Sequence, residues 1–217
     1  TQYRMHPKIS EFPVMKFYNG GLKDGVTSEQ KEWPGIKYPL FFHQCDRGSE
    51  SKVFSSQRGT RGFTYNNINE AEQIIKILYK LILDKGVKND QIGVITPYSA
   101  QRDLLSEIIV NDLIINPKKI AMEQEVDEAD LLNGNSNRTN GAKKNTINII
   151  NGVFVSTIDS FQGHEKSFII FSCVRNNKEN KIGFVSDRRR MNVALTRAKN
   201  GLILVGNKNV LADGDPL

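Results

Sequence analysis

The chain has 217 residues, enough for one good-sized domain and short of two. Thirty Lys and Arg residues against twenty-four Asp and Glu give a formal net charge of +6, which favours polyanionic partners without identifying one. No apolar run approaches the ~18 residues of a membrane span, and no signal-peptide pattern opens the chain. We therefore expect a soluble, intracellular domain with no membrane partner, in which Cys45 and Cys173 are buried free thiols.

The N-terminal residues Thr-Gln-Tyr-Arg-Met-His-Pro open the chain without an initiator Met, so we expect a fragment of a longer polypeptide. Tyr3 offers a flat face for a base, and Arg4 offers a planar fork for a phosphate. A simple packed turn before a helix is the alternative. The apolar spacing from 7 to 18 is too irregular for a helix over its whole length, and a short strand is predicted at 40–43.

The middle of the chain predicts alternating strands and helices. Residues 48–62 are nearly devoid of apolar side chains and predict a mobile surface segment. Asn69 and Glu72 fit a capping pair that opens an amphipathic helix ending near Gly86. A buried strand at 91–96 leads into a second helix. This order predicts an α/β fold in which helices cover both faces of a parallel sheet.

Between residues 116 and 151 the apolar pattern dissolves, which we interpret as a polar, flexible insertion within a single domain of residues 1–217. The insertion contains Asp-Glu-Ala-Asp at 127–130, which matches the acidic magnesium motif of nucleotide-driven motors. That motif belongs at the end of an apolar strand, whereas Met-Glu-Gln-Glu precedes it here. We interpret the match as a coincidence.

Polar side chains follow the next predicted strand, at 153–155. The hydroxyls of Ser156 and Thr157 are expected at its carboxyl end, where ligands bind in open parallel sheets. Gly163 lets the backbone approach a ligand closely, and Glu165 could accept hydrogen bonds from ribose hydroxyls. An ordinary Ser/Asp turn is the alternative. The three His residues lack metal-ligand spacing, so no metal site is predicted.

The stretch 187–199 predicts a basic helix that begins at the capping residue Asp187. At about 100° per residue, Arg190 and Arg197 lie on one side of it and apolar side chains lie on a neighbouring side. Two guanidinium groups on an anchored helix suit the binding of a phosphate. A solvated basic face is the alternative. A buried strand is predicted at 202–206.

Four motifs occur in a fixed order: Gln-Tyr-Arg-Met-His-Pro at 2–7, Val-Ile-Thr-Pro-Tyr at 94–98, Ser-Thr through Phe-Gln-Gly and Glu at 156–165, and Arg-Arg-Met-Asn-Val-Ala-Leu-Thr-Arg-Ala at 189–198. Together they resemble the second RecA-like domain of superfamily 1 helicases of the senataxin and nonsense-mediated-decay group. Residues 12–25 and 182–184 resemble the senataxin branch most closely.

The resemblance implies the second motor domain of a P-loop NTPase, with ATP lying between two RecA-like domains. By motif, the catalytic contacts to the γ-phosphate fall on Arg4 and Arg197. The remaining implied nucleotide contacts are Tyr3 at the base, Glu165 at the ribose, Gly163 in the same turn and, more weakly, Arg190.

The resemblance also implies a track for single-stranded nucleic acid. The residues at the matching positions are Thr96, Pro97, Tyr98, Ser156 and Thr157. The implied partners are single-stranded RNA or DNA, an RNA–DNA hybrid, and the first RecA-like domain of the same polypeptide. We expect a monomer, located in the nucleus.

The chain has no Gly-Lys pair and hence no phosphate loop. The resemblance places that loop, and the ligands of the Mg²⁺ that accompanies ATP, in the first motor domain. We therefore expect no useful ATP hydrolysis by this chain alone. The alternative function is a catalytically inactive RNA-binding or scaffolding module that keeps the helicase fold.

Overall fold

A computed structural model describes residues 1–55, 62–126 and 146–214. The described helices are α1 (Pro7–Tyr18), α2 (Ile68–Tyr79), α3 (Ser99–Asn111), α4 (Arg188–Leu195) and α5 (Lys208–Gly214). The described strands are β1 (Leu40–Gln44), β2 (Ser51–Ser55), β3 (Gly62–Asn66), β4 (Ile92–Thr96), β5 (Glu123–Val126), β6 (Thr146–Ile150), β7 (Val153–Thr157), β8 (Lys166–Ser172) and β9 (Ala198–Gly206).

Seven of these strands form one sheet in the order β1-β9-β8-β4-β7-β6-β5. The strands from β1 to β7 in that order pair in parallel, whereas β6 and β5 continue the sheet in antiparallel pairing. Helices lie on both faces. The predicted α/β fold with a mainly parallel sheet is therefore confirmed, and no helix of the described residues is both long and apolar enough to cross a membrane.

The two faces of the sheet build two separate cores because side chains alternate along each strand. On β8, Phe168 and Ile170 join the core under α2 and α3. Their neighbours Ile169 and Phe171 join the core under α1 and α4. All four side chains are at most 1% exposed, so β8 is covered on both sides, as expected for a central parallel strand.

A buried carboxylate ties α2 to the end of β8. Glu70 accepts hydrogen bonds from the Ser172 hydroxyl at 2.6 Å and from the Val174 backbone N–H at 2.9 Å. Gln101 on α3 donates to the same hydroxyl at 3.1 Å, so one polar network joins three elements. Burial raises the pKa of Glu70 to about 7, although the bonds from Ser172 and Val174 oppose this shift.

The first helix corrects the expectation that residues 7–18 would not form a complete helix. Pro7 occupies the first turn, the His6 side chain accepts a bond from the Lys8 backbone, and Asn19 ends the helix in the left-handed region. Pro13 lies inside the helix, and its side chain is buried. The prediction failed because packing against α4 and β9 offsets the local cost of this proline.

The start of α2 also differs from the prediction. Asn67, not Asn69, caps this helix and accepts a hydrogen bond from the backbone of Glu70 at 3.2 Å. The helix then continues as a short π-helical segment at Lys80–Asp84. The pairing of Asn69 with Glu72 was wrong because the same spacing occurs two residues earlier, where Glu70 is drawn into the core.

Two stretches predicted to lack regular structure contain strands. Ser51–Ser55 pairs antiparallel with Gly62–Asn66, so the expectation of a mobile segment at 48–62 was wrong for Ser51–Ser55 and Gly62, whereas 56–61 lie outside the described residues. Phe54 contacts Phe63 across this hairpin, and Lys52 lies over the Phe63 ring. The strands were missed because these three side chains do not form a regular apolar alternation in the sequence.

The predicted insertion at 116–151 is interrupted by β5 and β6, which extend the main sheet. The pattern was missed because β6 carries the polar Asn148 among its apolar residues. Asn148 is 2% exposed and donates to the Ser106 hydroxyl at 2.9 Å, so the buried amide has a partner. The acidic run at 127–130 lies outside the described residues. Cys45 and Cys173 are free and buried, as predicted.

Glu70→Gln should flatten the dependence of stability on pH. The folded chain retains the Glu70 proton to about pH 7, so between about pH 4.5 and 7 it binds more protons than the unfolded chain. The free energy of unfolding therefore falls as pH rises across this window, by roughly 3 kcal/mol. Urea unfolding from about pH 5 to 8 should show a shallower slope in the variant. Glu72→Gln, an exposed change on the same helix, should keep the wild-type slope, and an unchanged slope in Glu70→Gln would contradict this account.

Candidate functional site

Four charged side chains meet at the amino ends of β8 and β9. Glu165 directly precedes β8 and Arg197 directly precedes β9, and the Lys166 N–H donates to the Arg197 carbonyl at 3.2 Å. Arg4 reaches this edge from the N-terminal segment, and Lys199 lies on β9 itself. The predicted residues Arg4, Glu165 and Arg197 therefore lie in one cluster.

The backbone around Arg4 is fixed by the side chain of Gln2. The amide oxygen of Gln2 accepts hydrogen bonds from the backbone N–H groups of Arg4 and Met5 at 2.9 and 2.8 Å. The His6 N–H donates to the Lys199 carbonyl at 2.8 Å, which joins the segment to β9. The guanidinium of Arg4 is thus carried on a backbone that is anchored on both sides.

Glu165 is shared between two cations. One carboxylate oxygen contacts the Nε of Arg4, and the other accepts from the Nζ of Lys199 at 2.8 Å. The hydrogen bond from Lys199, aided by that from Arg4, lowers the pKa of Glu165 to about 2. The carboxylate is consequently ionised throughout the physiological range, with one oxygen engaged on each side.

Arg197 is the partly buried cation of the cluster, and in the described part of the chain it has no acidic partner. Its guanidinium donates to the Val193 carbonyl at 2.9 Å and to the Thr196 hydroxyl at 3.1 Å. Within residues 1–55, 62–126 and 146–214, no carboxylate lies within ion-pair distance of it. Burial and the nearby charge of Arg4 lower the pKa of Arg197.

The cluster therefore carries three positive groups against one carboxylate, Glu165. Guanidinium groups prefer phosphate oxygens because their planar donors match them in a bidentate manner. An added anion would also relieve the repulsion between Arg4 and Arg197. The donor set thus fits the polyphosphate chain of a nucleotide.

Tyr3 and Gly163 are both exposed, as a nucleotide contact requires. Tyr3 is 67% exposed, and its ring lies against Gly25, where any side chain would collide with it. Gly163 has a φ of +93° and an open space above its Cα. The turn needs a glycine for that φ, and the open space leaves its backbone accessible.

Arg190 does not join the cluster. It forms a bidentate pair with Asp159, at 2.9 and 3.1 Å, and its guanidinium lies over the Phe184 ring. Asp187 caps α4 as predicted, but the helix ends at Leu195, so Arg197 leads into a strand. The predicted stacking of Arg190 and Arg197 on one helix face was therefore wrong.

The predicted nucleic-acid residues lie near the carboxyl ends of the parallel strands, opposite the amino ends that carry the charged cluster. Thr96 and Thr157 are paired neighbours at the carboxyl ends of the parallel strands β4 and β7. Glu165 and Arg197 lie at the amino ends of strands running the same way, about six residues or roughly 20 Å distant. Ser156 and Thr157 therefore lie apart from the charged cluster that contains Glu165.

Three of these residues have buried side chains. Thr96 and Ser156 are fully buried, and Ser156 donates to the Thr157 carbonyl at 2.9 Å. Tyr98 is 2% exposed and bonds through its hydroxyl to Arg175 and to the Phe184 N–H, so base stacking on Tyr98 is excluded in this conformation. Pro97 and Thr157 are partly exposed, and their contact with a strand stays a prediction.

The sequence reasoning missed Lys199 and the buried pair of Arg175 with Glu50. Lys199 is two residues from Arg197, and an extended backbone places such side chains on the same side. The prediction of a helix over 187–199 placed Arg197 and Lys199 on different sides, so their proximity was missed. Arg175 and Glu50 pair at 2.8 Å with side chains 8% and 11% exposed, and no local spacing connects residues so far apart.

Comparison with known proteins defines the family. The model of the AAA domain family AAA_12 matches residues 1–209, so the chain belongs to this family. The chain is 66% identical over 219 residues to ECM32 of Saccharomyces cerevisiae, a candidate ATP-dependent RNA helicase, covering all of this chain and 20% of that protein. It is 38% identical over 222 residues to regulator of nonsense transcripts 1 of Caenorhabditis elegans, covering 99% of this chain and 17% of that protein.

A further relative is the ATP-dependent helicase NAM7 of Saccharomyces cerevisiae, 37% identical over 212 residues, with 98% of this chain and 19% of that protein covered. The chain thus spans about a fifth of the length of these relatives. These matches confirm the predicted helicase group, whereas the placement in the senataxin branch stays a prediction. A solved structure, the C-terminal domain of a possible DNA helicase from Lactobacillus plantarum, aligns with a TM-score of 0.45 at 15% identity and covers 100% of this chain and 96% of that one.

Glu165→Gln should lower the free energy of unfolding by about 1 kcal/mol at pH 7, since the ion pairs are partly screened by solvent. Because the folded pKa of Glu165 is depressed to about 2, its contribution is present above about pH 4.5 and is lost as pH falls toward 2. Urea unfolding at several pH values should therefore show a difference from wild type that shrinks in acid. Glu179→Gln, which alters an exposed pair with Lys181, should have little effect. Equal stability of Glu165→Gln and wild type at pH 7 would contradict a stabilising role for the ion pairs of Glu165 with Arg4 and Lys199.

Proposed function

We propose that this chain is the second motor domain of an ATP-dependent RNA helicase, and that Arg4 and Arg197 contact the γ-phosphate of an ATP bound against the first motor domain. The observation that carries the proposal is the cluster of Arg4, Arg197 and Lys199 around the single carboxylate of Glu165. A domain that served only as a scaffold would have no need for this unbalanced charge. The helicase names of its relatives support the same function.

The two arginines would act by placing fixed positive charge where negative charge develops during phosphoryl transfer. Arginine fingers of this kind contribute ~10³ or more to the rate. ATP would bring Mg²⁺ whose ligands belong to the first motor domain. Because the chain lacks a phosphate loop, it supplies only part of the site, and we expect no nucleic-acid-stimulated turnover from it alone.

The adenosine end of the nucleotide would lie toward Tyr3, whose exposed ring offers a stacking surface. Gly163 would let the backbone approach the ligand. Glu165 would serve the ribose only through the lone pairs that Arg4 and Lys199 leave open, since each carboxylate oxygen already accepts one bond. Its main role would be to position those two cations.

The nucleic-acid track would run along the carboxyl ends of β4 and β7, on Pro97, Thr157 and nearby backbone groups. Contacts of this kind hold the sugar-phosphate backbone and tolerate any sequence. Single-stranded RNA is the favoured partner because of the names of the relatives, and single-stranded DNA or an RNA–DNA hybrid would fit the same track. We also propose that the protein is monomeric and, from the senataxin resemblance, that it acts in the nucleus on RNA processing.

Arg197→Ala in the full-length protein should reduce RNA-stimulated ATP hydrolysis by about 10³ or more, because the γ-phosphate loses a charged donor. RNA affinity should remain close to wild type, since the track lies at the other edge of the sheet. Phosphate release measured with and without single-stranded RNA, together with RNA binding by fluorescence anisotropy, tests both statements.

The matched control is Arg189→Ala, which removes an exposed guanidinium from the neighbouring helix α4. This variant should retain nearly full hydrolysis. Wild-type turnover in Arg197→Ala would contradict the assignment of Arg197 to the γ-phosphate. Absence of ATP hydrolysis by the wild-type full-length protein would instead favour the catalytically inactive RNA-binding or scaffolding module.

A further inference from the structure

The sheet has an open edge at β1, and this edge is apolar. Leu40, Phe41 and Phe42 are 42%, 52% and 37% exposed. Among the described residues, β1 pairs only with β9. Proteins usually protect such an edge with a lysine, a proline, a bulge or a covering element. The strand Leu-Phe-Phe-His-Gln has no lysine, proline or bulge, and no described residue pairs with its outer side, so this edge is open to an added strand.

The backbone of β1 is set up to accept one more strand. The Pro39 carbonyl accepts from the Leu202 N–H at 2.7 Å, and the Cys45 N–H donates to the Gly206 carbonyl at 2.8 Å. Since backbone groups alternate in direction along a strand, the odd-numbered residues bond to β9. The N–H and C=O groups of Phe42 and its even-numbered neighbours consequently face the open edge.

Each face of this edge carries an apolar groove. Phe41 lies in a groove of about 610 Å³ on the α2 side, together with Ile77 and Leu81. Phe42 lies in a second groove, of about 500 Å³, on the α1 and α4 side. A strand added beside β1 would alternate its side chains between these two grooves. Binding by strand addition gains affinity from the backbone and selectivity from such alternate pockets.

Among the described residues, the charged side chains that line the two grooves are all basic. The charged side chains that line the α2-side groove are Lys37, Lys76, Lys80 and Lys85. Those that line the second groove are Lys16, Arg188 and Lys208. The sequence has no carboxylate at any of the described positions that line these grooves. An occupant with acidic side chains next to its apolar ones would therefore be favoured electrostatically.

We propose that the β1 edge is a docking site for an extended acidic segment of a partner protein, which adds a strand beside β1 and places apolar side chains in the two grooves. A second copy of this chain is a poorer occupant, because pairing two β1 edges would bring the lysines of both copies together. Single-stranded RNA is also a poorer occupant, because the groove walls are apolar and RNA would leave the backbone groups of β1 unpaired.

The test uses the full-length protein and a short fluorescent peptide with alternating valine and phenylalanine in its centre and glutamates at both ends. Anisotropy should show saturable binding with a Kd below about 100 μM. A peptide with lysines in place of the glutamates should bind at least about tenfold more weakly. A peptide with N-methyl groups on alternate central residues should lose binding, because its backbone cannot pair.

Two variants locate the site. Phe41→Asp puts a carboxylate on the open edge and should weaken the acidic peptide at least about tenfold, whereas Phe54→Asp, at an exposed phenylalanine of the β2–β3 hairpin, should not. Lys76→Glu with Lys80→Glu should weaken the acidic peptide about tenfold and strengthen the lysine peptide. The matched double change Lys88→Glu with Lys118→Glu, at exposed lysines outside the groove, should change neither affinity.

Several outcomes would overturn the proposal. The absence of saturable binding would mean that another segment of the same polypeptide covers the edge or that no peptide binds there. Equal binding of the acidic and lysine peptides, or no effect of Phe41→Asp, would remove the site. A dimer in sedimentation that Phe41→Asp abolishes would assign the edge to a second copy. Loss of RNA affinity in Lys76→Glu with Lys80→Glu, without peptide binding to wild type, would assign it to RNA.

Discussion

One unequal sharing of charge underlies the candidate site: Glu165 pairs with both Arg4 and Lys199, and among the described residues Arg197 has no acidic partner. A protein tolerates such an arrangement only where the surrounding backbone holds the groups in place. Here the start of β8, the start of β9 and the segment before α1 meet, and each contributes at least one member. The cluster is therefore a product of the fold and could not survive in an isolated peptide.

The parallel sheet separates the two proposed sites in space. The cationic cluster lies at the amino ends of β8 and β9, and the partly exposed residues Pro97 and Thr157 lie at or just after the carboxyl ends of β4 and β7. Helix α4 has Asp187 and the Arg190–Asp159 pair at its start, and Arg197 follows just after its end.

The class of fold could be predicted from the sequence because its signals are local. The buried strand at β4 and the helices α2 and α3 have clear apolar periodicity, and the order of strands and helices indicates a parallel sheet. The missed elements had weak local signals. Helix α1 contains Pro13, strand β6 contains Asn148, and strand β2 gains its stability from a partner strand.

The candidate site could be predicted only in part. The motifs named Arg4, Glu165 and Arg197, which the structure brings together. No spacing rule showed that Ser156 and Thr157 lie at the opposite ends of the strands from Glu165. That separation depends on where each strand begins and ends. Lys199 was missed for a related reason. The predicted helix continues past Leu195, so the predicted directions of the side chains after Leu195 were wrong.

The most direct test of the central claim is a structure of the full-length protein with a non-hydrolysable ATP analogue and single-stranded RNA. The account predicts that the guanidinium groups of Arg4 and Arg197 lie about 3 Å from oxygens of the γ-phosphate, with Glu165 still holding Arg4. It would be contradicted if the nucleotide were bound while either arginine pointed into solvent or toward the RNA.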